Sequence, residues 1–348
     1  MASRKKRGVF TGPGDPILGM DKALLLRMHR LMTRNRVLEE RLIKMSKSGE
    51  GFFWIGGPGE EGFNIPLGLL VKKGRGLEHD WLHLHYRSGG VVLAMGAEPI
   101  DLLRQMRASA SDPYSKGRHF INHFAIPEWN VAPVSPTIET QYSQAVGTAL
   151  AQQRHGGTGI TLVTGGDAGT AEGDFHTCLV WAARPVRPLP VLCLVINNEF
   201  GISTASHEQH GEERIADFAH PFNMPSRTIN GNDPVESWLA IREAMEYCRR
   251  ERKPYLLEAV TSRLFGHSSA SGANLVDEPD PISDFEERLA AAGLAKKDAL
   301  KKVRDEEAAA VDEAHRKARL EPSPKPESIW EDVFPGGLPD SYPRKGGS

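Results

Sequence analysis

The sequence predicts an α/β protein with a doubly wound parallel sheet and helices on both of its faces. Apolar runs at 160–164, 190–196 and 255–261 have the length and composition of buried strands. Helix-length segments at 172–183 and 234–250 lie between them. This alternation is typical of a parallel sheet, and ligands of such sheets bind at the carboxyl ends of the strands.

The segments before these strands are expected to be mainly helical. Asp21 is placed as the N-cap of a long amphipathic helix, because apolar residues recur at near-helical spacing from Leu24 to Met45. The Gly-rich stretch 49–62 ends that pattern. The next elements are a helix at 60–71, a helix at 100–106, a long loop of functional character at 109–136 and a helix at 143–151.

Composition and spacing divide the chain into three parts. Residues 1–20, rich in Gly, Pro and basic side chains, are expected to form an extended or disordered arm. The α/β domain then occupies 21–320 and closes with helices at 283–292 and 296–320. The remaining residues, 321–348, form a Pro/Gly-rich tail.

The overall composition excludes several classes of protein. The 348-residue chain has a formal net charge of −2, whereas a nucleic-acid-binding protein normally carries a strong basic excess. No run approaches the ~18 apolar residues of a membrane span, and Met1–Arg7 lacks the apolar core of a secretory signal. Three widely spaced cysteines favour reduced thiols, and no histidine pair has zinc-ligand spacing. The expected location is the cytoplasm, or the mitochondrial matrix in a eukaryote.

The most informative residues follow two consecutive strands. Asp167 lies in the Gly-rich segment 166–174 after the first, and Asn198 lies in the segment 197–201 after the second. A carboxylate, a carboxamide and the carbonyl of Phe200 suit Mg²⁺, which also takes phosphate oxygens, and Gly-rich turns let a diphosphate approach backbone N–H groups. Either segment alone is also a common strand-end turn. On adjacent turns they predict a metal–diphosphate site.

Two further segments are candidates for the same site. Tyr86 and Arg87 precede a Ser-Gly-Gly sequence and offer a phenol and a guanidinium to a diphosphate, although a solvated Arg beside a packed Tyr is the alternative. His267 follows the strand at 255–261. A histidine there can donate a proton or orient a carboxylate substrate, whereas a single histidine is more often structural.

At these residues the chain resembles the alpha subunit of the thiamine-diphosphate-dependent, decarboxylating first component of 2-oxo acid dehydrogenase complexes. That family includes the pyruvate and branched-chain enzymes, and the resemblance extends from about residue 21 to 334. Besides the two strand-end segments, the matching stretches are Gly59–Gly62, Tyr86–Arg87, Lys116–Arg118, Gln144–Gly147, Ile202–Thr204, Gly231–Asp233 and His267–Ser268.

The resemblance implies thiamine diphosphate and Mg²⁺ as cofactors. It assigns the metal to Asp167, Asn198 and the carbonyl of Phe200. Ser135 and Ile138 stand where the family contacts the aminopyrimidine ring and bends the cofactor. The implied cofactor-binding residues are Tyr86, Arg87, Ser135, Ile138, Gly166, Asp167, Ala168, Gly169, Asn198 and His267.

The resemblance also implies a reaction and its partners. A 2-oxo acid would lose carbon dioxide on the cofactor, and the acyl group would pass to the lipoyl domain of a dihydrolipoyl acyltransferase. His267 would be the catalytic residue beside the reactive thiazolium carbon. A beta subunit would supply the Glu that faces the pyrimidine, so the expected active species contains two alpha and two beta chains.

The chain departs from the family in three places. Ala168 replaces a usual glycine, and a Cβ there restricts positive φ angles, for which Gly169 could compensate. The connection Arg184–Pro190 is longer, and the segment after His267 is shorter, which argues against phosphoregulation at Ser268.

The apolar stretch Phe52–Ile55, with the two glutamates that follow it, favours a branched-chain 2-oxo acid over pyruvate. Two alternatives stay open. One is an acetoin-dehydrogenase-type subunit. The other is a non-catalytic, alpha-like scaffold, which Ala168 and the short segment favour and the retained metal-site residues oppose.

Overall fold

The protein is organised around a parallel β-sheet. A computed structural model describes residues 14–337. In that range the strands are β1 (Trp81–His83), β2 (Thr161–Gly166), β3 (Val191–Asn197), β4 (Ser226–Asn230) and β5 (Tyr255–Val260). They form one five-stranded sheet in the order β1-β2-β3-β5-β4, and every neighbouring pair is parallel.

Helices connect and cover these strands. Within residues 14–337 they are α1 (Lys22–Ser48), α2 (Glu61–Leu70), α3 (Gly89–Met95), α4 (Pro99–Met106), α5 (Thr140–Arg154), α6 (Gly173–Ala182), α7 (Ser206–Gln209), α8 (Pro234–Glu251), α9 (Pro281–Ala291) and α10 (Lys297–Arg319). None of them combines the length and the apolar character that crossing a bilayer requires.

Side chains from the central strands pack alternately on the two faces of the sheet. Leu162 joins the core that contains Ile241 of α8, whereas Val163 and Cys193 join a second core with Phe175 of α6. Successive residues of a strand point to opposite faces, so a sheet with two apolar faces needs helices on both. The predicted doubly wound parallel sheet is confirmed.

The two edge strands have no counterpart among the strands predicted from sequence. β4 has only Ile229 buried, and β1 is three residues long. A strand at the edge of a sheet can be short or polar, because it needs no continuous apolar run. The pattern that identifies β2, β3 and β5 is therefore absent from these two.

The predicted start of the first long helix is confirmed. The Asp21 carboxylate accepts the backbone N–H of Leu24 at 2.8 Å, as an N-cap does. Gly49 ends α1 with a φ of 74°, a left-handed conformation that glycine adopts without steric cost. The long loop predicted at 109–136 is confirmed, because its only helical element is the 3₁₀ turn Pro127–Trp129.

Helix α1 packs against α10, which lies at the other end of the chain. The buried carboxylate of Glu307 forms ion pairs with Arg30 and Arg34 at 2.8 and 2.7 Å. Near the same interface Arg304 pairs with Glu40 at 2.9 Å. The N-terminal and C-terminal helices are thus joined by packing and by charge.

Parts of the predicted arm and tail lie outside the described residues, namely 1–13 and 338–348. Closer to the domain, Asp15 forms a buried ion pair with Arg288 at 2.5 Å, and Ile17 is fully buried. The division into arm, domain and tail stays a prediction.

The buried His83 of β1 gives the fold a dependence on pH. Its Nε2 lies 2.9 Å from Oγ1 of Thr148, and its Nδ1 has no partner among the described residues. Burial lowers the pKa of His83 from 6.5 to about 4. Between these values the unfolded chain holds a proton that the folded chain does not, so the free energy of unfolding decreases as the pH falls.

A His83→Gln variant is therefore expected to lose less stability in acid than the wild type. The difference between the two losses from pH 7 to pH 5 should be about 2 kcal/mol. Urea unfolding at both pH values measures it, and the exposed His155→Gln is the matched control. Equal losses in the wild type and in His83→Gln would contradict the assignment.

Candidate functional site

The two strand-end residues predicted as metal ligands lie at the same edge of the sheet. Strands β2 and β3 are neighbours, with Gly166 paired to Ile196, so Asp167 and Asn198 leave the sheet side by side. Asp167 is 1% exposed, and its Oδ2 has no hydrogen-bond partner among the described residues. The structure therefore brings a buried carboxylate and a carboxamide together.

The surroundings of Asp167 disfavour its charge. Burial raises the pKa of this carboxyl group to about 6, although the positive charge of Arg87 acts in the opposite direction. A divalent cation would stabilise the ionised form. The Asp167 carboxylate is thus a buried acceptor whose charge a bound cation would stabilise.

The turn after β2 accommodates an alanine without strain. Ala168 begins the short 3₁₀ helix Ala168–Ala171 and is absent from the non-glycine residues with positive φ. The expected restriction therefore does not apply, because no left-handed conformation is needed at that position. At Gly169 a Cβ would lie 1.9 Å from Oε1 of Glu139, so the lack of a side chain there makes room for that carboxylate.

Arg87 lies next to this turn, and one nitrogen of its guanidinium makes no hydrogen bond to the described residues. Its Nε is 2.5 Å from Oε1 of the buried Glu60. Its Nη2 has no partner among the described residues and lies 2.9 Å from where a Cβ on Gly166 would be. Burial alone would lower the pKa of Arg87, but the charges of Glu60 and Asp167 and the neighbouring Tyr86 hold it above its usual value. The guanidinium stays charged and faces the Gly-rich turn.

A small cavity brings the predicted residues from three strand ends together. Its lining includes Arg87, Asn198 and His267, together with Arg263. The ring of His267 meets the ring of Tyr86 edge-on, with centroids 5.9 Å apart. This agrees with the expectation that the two segments contribute to one site, although the residues are distant in the chain.

His267 is uncharged at neutral pH. Burial, and then the positive charges of Arg87 and Arg263, lower the pKa of His267 to about 4. The residue does not continue β5 directly, because that strand ends at Val260 and an irregular segment follows. This segment turns the imidazole toward Tyr86.

Arg263 holds the loop that follows β3. Its Nη1 donates a hydrogen bond to the carbonyl of Gly201 at 2.8 Å. Its guanidinium lies over the ring of Phe200, 4.6 Å from the centroid. The carboxamide oxygen of Asn198 accepts the N–H of Phe200 at 3.1 Å. These contacts fix the backbone that carries the third predicted metal ligand.

The other predicted site residues do not line this cavity; they are Tyr86, Ser135, Ile138, Gly166, Asp167, Ala168, Gly169 and Phe200. The Ser135 hydroxyl oxygen accepts the N–H of Thr137 at 3.1 Å, and the Ile138 side chain is 42% exposed. The loop nevertheless reaches the Gly-rich turn, because Oε1 of the following Glu139 accepts the N–H of Gly166 at 3.2 Å.

Two carboxylates at this edge were not assigned a role from the sequence. Glu60 supports Arg87, and Glu139 contacts the turn after β2. Burial raises the pKa of Glu60 to about 7 and that of Glu139 to about 8. Neither follows a strand, so the strand-end criterion that identified Asp167 could not find them.

The described residues hold no group of three or more His, Cys, Asp or Glu side chains placed for a metal ion. A cation at Asp167 would therefore depend on few protein ligands and on oxygens of a second group. That is how Mg²⁺ is bound beside phosphates.

Comparison with known proteins identifies the family. The profile of the dehydrogenase E1 component family matches residues 29–327, most of the chain. The chain belongs to this family. The 2-oxoisovalerate dehydrogenase subunit alpha of Bacillus subtilis is 33% identical over 326 residues, which cover 91% of this chain and 97% of that protein. The mitochondrial human protein of the same name is 28% identical over 341 residues, 94% of this chain and 74% of that protein.

Membership makes the chain the alpha subunit of a 2-oxo acid dehydrogenase E1 component, an oxidoreductase that uses thiamine diphosphate and a divalent metal. An E1 alpha subunit implies a beta subunit and complex partners. The two unpartnered atoms fit this cofactor, because Oδ2 of Asp167 suits a cation and Nη2 of Arg87 suits an anionic oxygen.

Proposed function

We propose that this E1 alpha subunit holds the diphosphate end of thiamine diphosphate with Mg²⁺ at the carboxyl ends of β2 and β3. The observation that carries the proposal is the pair of buried, unpartnered atoms at one edge of the sheet, Oδ2 of Asp167 and Nη2 of Arg87. Such atoms are costly to bury without a partner, so a charged ligand at this edge accounts for both.

Each residue contributes a definite interaction in this proposal. Asp167, Asn198 and the carbonyl of Phe200 ligate the metal. Tyr86, Arg87 and the backbone N–H groups of Gly166, Ala168 and Gly169 bind phosphate oxygens. Ser135 and Ile138 contact the aminopyrimidine and support the bent cofactor. When bound, the thiamine ring supplies the electron acceptor on which a 2-oxo acid loses carbon dioxide.

His267 is proposed as the catalytic residue. Its neutral ring offers one donor and one acceptor nitrogen at the cavity wall. An anionic diphosphate would offset the positive field of Arg87 and Arg263, so the pKa of His267 should rise when the cofactor binds. The imidazole is then able to orient the substrate carboxylate and to take up a proton.

The proposed active species contains two alpha and two beta chains. The beta subunit supplies the Glu beside the pyrimidine, and the lipoyl domain of a dihydrolipoyl acyltransferase receives the acyl group. The proposed location is the cytoplasm, or the mitochondrial matrix in a eukaryote. The human relative is named as a mitochondrial protein.

A branched-chain 2-oxo acid is the proposed substrate. The relatives from B. subtilis and human are both named for 2-oxoisovalerate. In the stretch 52–55, Phe53 packs against Phe120 with centroids 5.4 Å apart, and Phe52 is 80% exposed. This apolar surface suits a branched substrate side chain. The comparisons do not favour the acetoin-type or scaffold alternatives, and Ala168 no longer supports the scaffold.

The test is an assay of the chain coexpressed with the beta subunit from its own organism. Reduction of an artificial electron acceptor is followed with branched-chain 2-oxo acids, pyruvate and acetoin while thiamine diphosphate and Mg²⁺ are titrated. We expect activity that needs both cofactors, with kcat/KM at least about tenfold higher for 2-oxoisovalerate than for pyruvate. Absence of cofactor binding would disprove the catalytic assignment, and a preference for acetoin or pyruvate would disprove the substrate.

A further inference from the structure

The carboxylate of Glu139 lies in the turn where the proposed function places the diphosphate. Oε1 accepts the N–H of Gly166 at 3.2 Å, and Oε2 accepts Nε2 of Gln141 at 3.3 Å. A Cβ on Gly165 would come within 2.3 Å of Oε2, and one on Gly169 within 1.9 Å of Oε1. The side chain therefore occupies space that only these glycines leave open.

The position of Glu139 is unfavourable in two respects. Its backbone has φ 63° and ψ 2°, a left-handed conformation in which a side chain is strained. The residue is 1% exposed, yet no Lys or Arg nitrogen lies within ion-pair distance of it in residues 14–337. Burial raises the pKa of Glu139 to about 8; the N–H of Gly166 and the positive charge of Arg87 act in the opposite direction, and Asp167 and Glu172 add repulsion. A conformation this costly is readily given up to a competing ligand.

A carboxylate and a phosphoryl group make the same demand on a Gly-rich turn. Both are anions that accept backbone N–H groups, and such turns bind either. Two anions cannot share one amide unless a cation lies between them. The diphosphate and Glu139 therefore compete for the N–H of Gly166.

The loop before Glu139 permits the side chain to leave. Pro136, Thr137 and Ile138 are all exposed. Rotation of Glu139 out of the turn would therefore disturb no core residue of this loop.

We propose that Glu139 is an internal anion that occupies the Gly-rich turn in the cofactor-free protein and is displaced when the diphosphate binds. The proposal rests on the proposed function for the identity of the displacing group.

The test compares the affinities of three alpha–beta assemblies for Mg²⁺–thiamine diphosphate by titration calorimetry. Glu139→Gln keeps the shape of the side chain and removes its charge, and Glu139→Gly also suits the left-handed backbone. Both variants should bind about tenfold more tightly than the wild type, because the internal competitor is weakened or absent. Glu172→Gln removes the same charge from the exposed end of the turn and should change the Kd less than about twofold.

A second titration with Mg²⁺ and inorganic pyrophosphate separates this inference from the proposed function. If the wild type binds no thiamine diphosphate, the proposed function fails, while tighter pyrophosphate binding by both Glu139 variants would still support displacement. Equal or weaker binding of pyrophosphate and of cofactor by the variants would overturn the inference. Thermal unfolding of each cofactor-free assembly checks that the variants are folded.

Discussion

Replacement of Asp167 by alanine is expected to reduce the affinity of the alpha–beta assembly for thiamine diphosphate in Mg²⁺ by at least about 100-fold. The variant removes a charged ligand from a cation that has few protein ligands, and a lost charged contact of this kind is worth about 3 kcal/mol or more. Isothermal titration with the cofactor at fixed Mg²⁺ measures the loss.

The same variant should fold as well as the wild type. Burial raises the pKa of Asp167 to about 6, which means that its charged form is disfavoured in the folded protein without a cation. Its removal should therefore leave the Tm of the cofactor-free protein unchanged or raise it. The exposed Asp277→Ala is the control for a general effect of charge. Cofactor affinity equal to that of the wild type would refute the metal assignment.

Replacement of Arg87 by alanine is expected to weaken cofactor binding and to destabilise the domain. The guanidinium is the ion-pair partner of Glu60 at 2.5 Å, and both groups are buried. Loss of one member of a buried pair leaves the other charge uncompensated and typically costs about 3–5 kcal/mol. Urea unfolding of the cofactor-free assembly measures this cost.

A double variant separates the two roles of Arg87. Arg87→Ala with Glu60→Gln removes both charges, so most of the lost stability should return, whereas cofactor affinity should stay at least about tenfold below that of the wild type. Recovery of affinity along with stability would show that Arg87 acts only through the fold. That result would remove it from the binding site.

The sequence predicted the central part of the sheet and missed its edges for the same physical reason. β2, β3 and β5 are buried on both faces, and they therefore carry the continuous apolar runs that identify strands. β4 has one buried residue and β1 is only three residues long, so neither carries such a run. Asp167 and Asn198 were accessible to prediction because each lies a few residues beyond the end of a predicted strand.

The parts of the site that escaped prediction depend on contacts between distant residues. Glu60 matters because Arg87 lies against it, and Glu139 matters because Gly165 of β2 and Gly169 of the following turn make room for its carboxylate. Neither contact produces a periodic pattern or a local motif in the sequence. The expected strain at Ala168 was wrong for a different reason. The prediction assumed a positive φ at this position, whereas the structure places Ala168 in an ordinary 3₁₀ turn.

The contact between α1 and α10 has a consequence for how the chain folds during its synthesis. Helix α1 is synthesised well before its partner α10, because Arg30 and Arg34 pair with Glu307, which lies far along the chain. Until then its apolar face has to be covered by other parts of the nascent chain or by a chaperone. The contact between α1 and α10 can therefore form only after α10 has been synthesised.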